Sequence, residues 1–191
     1  MIDDFFTTPF PLLNIDDDFL LREQEVKDSV AFLSYYSDPH VGQHILATKP
    51  QTLVDATAEI HYCRSLFQYK KGIYWALARK SDDQMIGAIG VYINTYHSRG
   101  EICYDLNFDY WNRGIMTKAM QTAITYCFRG IGLIRLEAIT LAANVSSIAL
   151  LKKLDFHYEG TLKKYRYYNE NFHDIELYAR IAPKGRVEKL L

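Results

Sequence analysis

The chain has 191 residues, 49% hydrophobic and 24% charged, the proportions of an ordinary globular protein able to bury one core rather than a disordered or fibrous one. Its 22 Lys and Arg against 23 Asp and Glu leave a net charge of -1, which supplies no global field for gripping a polyanion and argues against nucleic acid as a ligand. The three cysteines, Cys63, Cys103 and Cys127, lie too far apart for a CxxC metal pattern and fit reduced thiols in the cytoplasm, and no apolar run reaches the ~18 residues of a membrane span.

In chain order, a Pro-containing start leads into a short strand at Asp18–Arg22, then a predicted helix from Glu23 to Tyr36 that Asp38-Pro39 stops. After Pro50, the residues Leu53, Ala56, Ile60, Cys63 and Phe67 recur at steps of three and four, so they line the core face of a second helix. Ile73–Arg79 and Met85–Ile93 read as an antiparallel hairpin around Ser81-Asp82-Asp83-Gln84, with a third strand at Glu101–Phe108. Met116, Ala119, Met120, Ala123, Ile124, Cys127 and Phe128 mark the clearest amphipathic helix, ending near Gly130.

Leu133–Leu141 follows as a strand with Ile134, Leu136 and Ala138 alternating. Asn144 then caps a short helix through Leu154, because its side-chain oxygen can accept from the free N–H groups of the first turn. Phe156–Tyr168 and Phe172–Ile181 form a closing hairpin around Asn169-Glu170-Asn171. The result is a mixed α/β sheet without repeat or linker. The first 15 residues and the last ten, including Pro183-Lys184-Gly185-Arg186, receive no role.

The informative stretch is Asp109-Tyr110-Trp111-Asn112-Arg113-Gly114-Ile115-Met116-Thr117, a loop joining a strand to the best helix. A helix start offers unpaired N–H groups and the positive end of a dipole, which suits a pyrophosphate. Asn112 and Gly114 taken alone point first to a simple tight turn needing positive φ. The basic cluster Lys152, Lys153, Lys163, Lys164 and Arg166 reads either as a solvated face or as a partner for a phosphate-rich cofactor. His40 and His44 have HxxxH spacing, but Asp38-Pro39 and Gly42 point to a loop and a third ligand is missing, so no metal is expected. No GxSxG occurs to support a hydrolase.

Glu101-Ile102-Cys103-Tyr104, followed by Tyr110-Trp111-Asn112-Arg113-Gly114-Ile115-Met116-Thr117-Lys118-Ala119, resembles the strand-loop-helix signature of GNAT acetyltransferases of RimJ/RimL type. Asn144-Val145-Ser146-Ser147, Lys153-Leu154-Asp155-Phe156, Glu159-Gly160, and Asp174 with Tyr178 are similar to the same family's later pattern, in the same order. The resemblance covers about residues 16–181 of a single domain. It implies a mostly antiparallel twisted sheet with helices on both faces, split into a V by a bulge in the Glu101–Phe108 strand.

It further implies acetyl-CoA as cofactor, with the pantetheine arm along Leu106, Asn107 and Phe108, much as an added strand would lie. The pyrophosphate would sit on the backbone N–H groups of Arg113, Gly114, Ile115, Met116 and Thr117, Asn144 would touch the pantetheine, and the Ser147 hydroxyl would protonate the departing thiolate. Met116, Lys118 and Asp155 depart from the family's usual small residue, Glu and Gly; Lys118 could favour phosphate by curling back.

Acetyl transfer to an amine needs a deprotonated nucleophile, a polarised carbonyl and a proton for the leaving group. Strand alternation puts Glu101, Cys103, Asp105 and Asn107 on one face, so Glu101 is the first candidate base and Asp105 a second, or a carboxylate recognising the cationic amine. A backbone N–H near Asn107 or Phe108 would polarise the carbonyl. The expected acceptor is a primary amine. It could be a protein α-amino group, as on a ribosomal protein, or a polyamine, amino acid or antibiotic, and a non-catalytic acyl-CoA sensor stands as a further alternative. The chain would act as a monomer or as a homodimer through Tyr and Phe of the closing hairpin.

Overall fold

The computed structural model describes residues 2–45, 48–168 and 170–183. Dense β-branched and aromatic residues make the centre of the sheet, where β3 (Gly72–Arg79), β4 (Met85–Asn94) and β5 (Arg99–Leu106) form an antiparallel meander. β1 (Leu13–Asn14) and β2 (Phe19–Glu23) extend it on one side, and β6 (Arg135–Thr140), β7 (His157–Tyr168) and β8 (Asn171–Ile181) on the other. The order is β1-β2-β3-β4-β5-β6-β8-β7. Among the described residues only β5 and β6 run parallel, and they pair over just Arg99↔Arg135, Gly100↔Leu136 and Glu101↔Glu137. Beyond Glu101 the two strands part, and the sheet opens into a V.

That opening needs no bulge in β5. The β4–β5 register runs unbroken from Gly87↔Leu106 to Asn94↔Arg99, so the expected bulge is absent and the divergence of β5 from β6 makes the cleft. The third strand also ends at Leu106, because Asn107 turns the chain into a short 3-10 turn, Phe108–Tyr110, by accepting the Asp109 N–H at 3.0 Å.

Among the described residues the α-helices are α1 (Ile2–Phe5), α2 (Asp28–Tyr36), α3 (Pro39–Gly42), α4 (Leu53–Gln68), α5 (Ile115–Tyr126) and α6 (Val145–Lys153). Alternation along β3 and β4 sends Trp75, Leu77, Ile89 and Val91 to the face that carries α5, and Ala76 and Ala88 to the face that carries α2. Small residues on the second face let α2 lie close. α5 follows its predicted apolar stripe and passes through a π-helical turn, Cys127–Ile131, before Gly132 ends it in the left-handed conformation at φ 89°.

Several expectations shift. α2 begins at Asp28, not Glu23, because Glu23 still pairs with Trp75 and Asp28 draws the chain into the helix by accepting the Glu25 N–H at 2.7 Å. Leu53 opens α4 at 48% exposure, and Leu66 takes its expected place on the core face. Ile134 precedes β6 at 37% exposure. The first 15 residues do have a structural role: Phe5 and Phe6 enter the core, Leu13 pairs with Leu21, and Pro11 O accepts the Trp75 indole N–H at 3.0 Å. Asp155 sits at φ 57° just after α6, a left-handed position that favours glycine. Of the closing hairpin's turn, Asn169 lies outside the described residues, as do Lys184–Arg186 of the tail.

Candidate active site

The start of α5 is shaped by two left-handed residues, Asn112 at φ 59° and Gly114 at φ 73°. Space is open where a side chain on Gly114 would project, so the backbone itself can meet a ligand. The first helical bond runs from Lys118 N–H to Gly114 O at 3.2 Å, which leaves the N–H groups of Ile115, Met116 and Thr117 without partners inside the helix. They open on a cavity of about 360 Å³ between β5, α5 and α6. Leu106, Ile115, Met116 and Leu150 give it apolar walls, and Asn144, Ser147 and Lys153 add polar groups. A free row of helix N–H groups beside an apolar channel fits a pyrophosphate joined to a pantetheine arm.

Strand parity identifies the polar edge of this channel. Asn107 N–H donates to Ile86 O at 2.8 Å, so it is spent on β4 and cannot polarise a carbonyl, contrary to the sequence expectation. Groups alternate along an antiparallel strand, so those of Leu106 and Tyr104 face the cleft instead. The Leu106 carbonyl already accepts the Trp111 indole N–H at 2.8 Å, which fixes the loop to the strand end. At the end of the channel the Tyr104 hydroxyl and Ser147 Oγ lie 2.8 Å apart. Asn144 caps α6 by accepting the Ser147 N–H at 3.1 Å and so holds Ser147 toward Tyr104. Burial pushes the Tyr104 phenol up to about 12, so it stays protonated and able to donate.

On the other side of β5 lies a second cavity of about 820 Å³, bounded by α2, α4 and the hairpin strands. Glu59, Tyr62, Glu101, Asp105 and Arg166 are on its walls, and Tyr104 and Asp105 line both cavities. Burial raises the Glu101 carboxyl, and nearby Arg166 partly opposes that rise. Asp105 is perturbed more: burial pushes it from an ordinary 3.8 up to about 6, although Tyr35, Tyr36 and the Ala88 N–H draw it back. A carboxyl whose folded value is raised binds its proton more tightly when folded. Its contribution to stability is therefore lost as pH rises from about 4 to about 6.

Of the sequence-predicted residues, Leu106, Gly114, Ile115, Met116, Thr117, Asn144 and Ser147 line the first cavity, and Glu101 lines the second. Asn107, Phe108 and Arg113 are not on the cavity wall. Asn107 caps the 3-10 turn, Phe108 stacks on His40 with ring centres 4.1 Å apart, and Arg113 lies over the Tyr110 ring at 5.5 Å. His40 belongs to the short α3 rather than a loop, and among the described residues no group of three His, Cys, Asp or Glu could hold a metal. Lys118 does not curl back but pairs with Asp16 at 2.7 Å. Sequence reasoning missed Tyr35 and Tyr36, which bond Asp105 from about 70 residues away, and the hydroxyl role of Tyr104.

Comparison with known proteins shows the family and the fold. The family model described as "Acetyltransferase (GNAT) domain" matches residues 18–157. The chain is 29% identical over 176 residues to "Uncharacterized N-acetyltransferase YoaA" of Bacillus subtilis (strain 168), covering 92% of this chain and 99% of that protein. Among solved structures it is similar, at TM-score 0.82 and 19% identity, to the Salmonella typhimurium acetyl transferase that modifies the N-terminal serine of ribosomal protein L7/L12, covering 91% and 100% of the two chains. The RimL acetyltransferase acting on ribosomal L7/L12, solved with coenzyme A, matches at TM-score 0.79 and 20% identity over 90% of this chain and 98% of its own.

Proposed function

Because the chain belongs to the acetyltransferase (GNAT) family and transfers an acetyl group from acetyl-CoA to an amine, we propose that donor and acceptor occupy the two cavities and meet at Tyr104 and Asp105. The observation that carries this reading is that those two residues, alone among the strand residues of β5, line both the cavity at the start of α5 and the acidic, aromatic cavity. Direct attack within one ternary complex then requires no movement of a covalent intermediate.

Acetyl-CoA supplies an acetyl thioester, an activated acyl group with a thiolate leaving group. The chain's part is to hold, orient and move protons. The N–H groups of Ile115, Met116 and Thr117, with the helix dipole behind them, hold the diphosphate. The cleft-facing backbone groups of Tyr104 and Leu106 hold the arm and present an N–H to the carbonyl oxygen. A carboxylate of the acceptor cavity, Glu101 or Asp105, receives the amine's proton, and the Ser147 hydroxyl, paired with Tyr104, offers one to the sulfur.

The acceptor is a primary amine in the cytoplasm, and the likeness to RimL favours a protein α-amino group. A small cationic amine is a second reading, supported by a specific feature: among the described residues, no Lys or Arg hydrogen-bonds Glu59, Glu101 or Asp105, so these carboxylates are available to a cation. The deciding experiment is calorimetric titration with acetyl-CoA, followed by mass analysis of a panel of N-terminal peptides and small primary amines incubated with protein and acetyl-CoA. Saturable binding with acetylation of one class is expected. Failure of acetyl-CoA to bind would overturn the site assignment.

A further inference from the structure

Asp105 is the one carboxylate that reaches both cavities, and α2 delivers two phenols to it. Tyr35 donates to Oδ1 at 2.7 Å and Tyr36 to Oδ2 at 3.1 Å, adjacent residues converging on one side chain. Tyr35 is buried at 3% exposure, whereas Tyr36, the partner of Oδ2, lines the acceptor cavity. Phe32 packs against both tyrosine rings, with centres 5.8 and 4.4 Å away, and fixes their directions.

We infer that Asp105 Oδ2 takes the proton released by the amine, with Tyr35 and Tyr36 as positioning residues that hold the carboxylate in place and in its ionised form. The inference rests on the acetyltransferase reading above and assigns its base. Distance along the strand decides against Glu101. Four residues at ~3.3 Å each separate the two carboxylates by about 13 Å along β5, and a base must come within about 3 Å of its proton, or one water further. The Ser147 hydroxyl meets Tyr104, and although Tyr104 and Asp105 leave β5 on opposite faces, each lines both cavities, so the two cavities meet at that end of the strand. Glu101, three residues from Tyr104, faces the body of the acceptor instead.

The surroundings explain why phenols are needed. Glu59 and Cys63 approach Asp105 from α4, Tyr74 from β3 and Cys103 from β5 itself, while His44 stands on the wall shared by the two cavities. The permanent cations on the acceptor-cavity wall, Lys49 and Arg166, make no ion pair with Asp105 among the described residues, and Glu59 repels a second negative charge. Neutral hydrogen-bond donors are then what favours the carboxylate. In the step itself an ammonium N–H bond breaks, its electron pair stays on nitrogen, and the proton forms an O–H bond at Oδ2. The proton later returns to solvent through the open cavity.

The test compares pH profiles of kcat/KM, with acetyl-CoA and the best amine from the panel, for the wild type, Asp105→Asn, Tyr35→Phe, Tyr36→Phe and Glu101→Gln. Wild type should lose activity on the acid side with a midpoint near 6. Asp105→Asn should fall about 100-fold or more while acetyl-CoA affinity holds within about twofold. Each Phe variant should move the acid limb upward by about one pH unit and recover its rate at higher pH, since losing a donor to the ionised form favours the proton. Glu101→Gln should leave the limb in place. A purely structural role for the tyrosines would instead depress the rate at every pH without moving the limb, and that result overturns the inference, as does more than a tenth of the activity in Asp105→Asn. Carboxyl NMR titration of Asp105 supplies a readout that needs no turnover: an identical midpoint in the wild type and both Phe variants overturns the inference even if every amine fails. Wild-type inactivity toward all amines would count against the acetyltransferase reading alone.

Discussion

The two cavities on either side of β5 are built by different means. On the proposed assignment of donor and acceptor, the donor side is made mainly of backbone, with Gly114 and the first turn of α5 presenting N–H groups that are contiguous in the chain. The acceptor side is made of side chains drawn from α2, α4, β5 and β7, so its character depends on how distant segments pack. A backbone site tolerates side-chain variety and suits a constant ligand. A side-chain site changes with each substitution and suits a ligand that differs from one relative to the next.

The largest expected effect breaks the acceptor side while sparing the donor side. Arg22 makes a bidentate pair with Asp28, both contacts at 2.8 Å, and also donates to Asp83 at 2.6 Å, which pins the start of α2 to the sheet. In Arg22→Met the Asp28 carboxylate, 2% exposed, is left buried without a counter-ion, with the Glu25 N–H as its remaining partner. The cost is about 3–5 kcal/mol of stability, read as a lower midpoint in urea. At temperatures where the variant stays folded, the amine KM should rise through displaced Tyr35 and Tyr36 while acetyl-CoA affinity stays within about twofold. Equal damage to both ligands would show that the two sides are one mechanical unit.

Gly114→Trp is the converse. The left-handed φ of 73° strains any L side chain by about 1–2 kcal/mol, and an indole there projects into the mouth of the donor cavity. Acetyl-CoA affinity should fall about 100-fold by calorimetry, a loss of roughly 2.7 kcal/mol, with the circular dichroism spectrum unchanged. Binding that survives would move the diphosphate away from α5.

The same contrast explains what could be read from the sequence. The local structure around the first cavity was legible because its residues are neighbours: the Asn112-Arg113-Gly114 turn, the apolar stripe of α5 and the Asn144 cap all depend on spacing within a dozen positions. The sheet meander was legible for the same reason. Tyr35 and Tyr36 carried no such signal, since nothing local distinguishes two helical tyrosines that bond a carboxylate about 70 residues away from two that pack in a core. Which N–H near Asn107 or Phe108 faces the cleft is not legible for a related reason. Side-chain alternation follows from sequence, but which edge a backbone group faces depends on the register with β4. Phe5 and Phe6 were overlooked because a terminal segment has no periodicity to show that a core is waiting for it.

Where the two sides join, the effect should be smaller and confined to kcat. Ser147→Ala removes the hydroxyl 2.8 Å from Tyr104 and leaves both cavities otherwise intact. The rate should fall about 10- to 100-fold with affinity for acetyl-CoA unchanged. Adding Tyr104→Phe should then cost little more, because the pair acts as one unit and its double-mutant cycle is non-additive. Full additivity would separate the two hydroxyls.

The smallest effect belongs to Lys118, and it sharpens the distinction between a backbone cradle and a charged one. A lysine in the first turn of α5 could bind phosphate directly, yet its Nζ lies 2.7 Å from Asp16 Oδ2 and its side chain is 62% exposed. Asp16 is in turn held below its usual carboxylate range by the Lys118 hydrogen bond, partly against the effect of burial, so the pair persists at neutral pH and weakens as acid protonates Asp16. An exposed pair of this kind contributes little and is screened by salt. Lys118→Ala should therefore change acetyl-CoA affinity by less than about twofold at moderate salt, while Asp16→Asn, which frees the ammonium to swing toward the cavity, should leave affinity equal or slightly raised. A tenfold loss in Lys118→Ala would mean that the lysine abandons Asp16 when the diphosphate arrives, and that the donor side relies on a side chain after all.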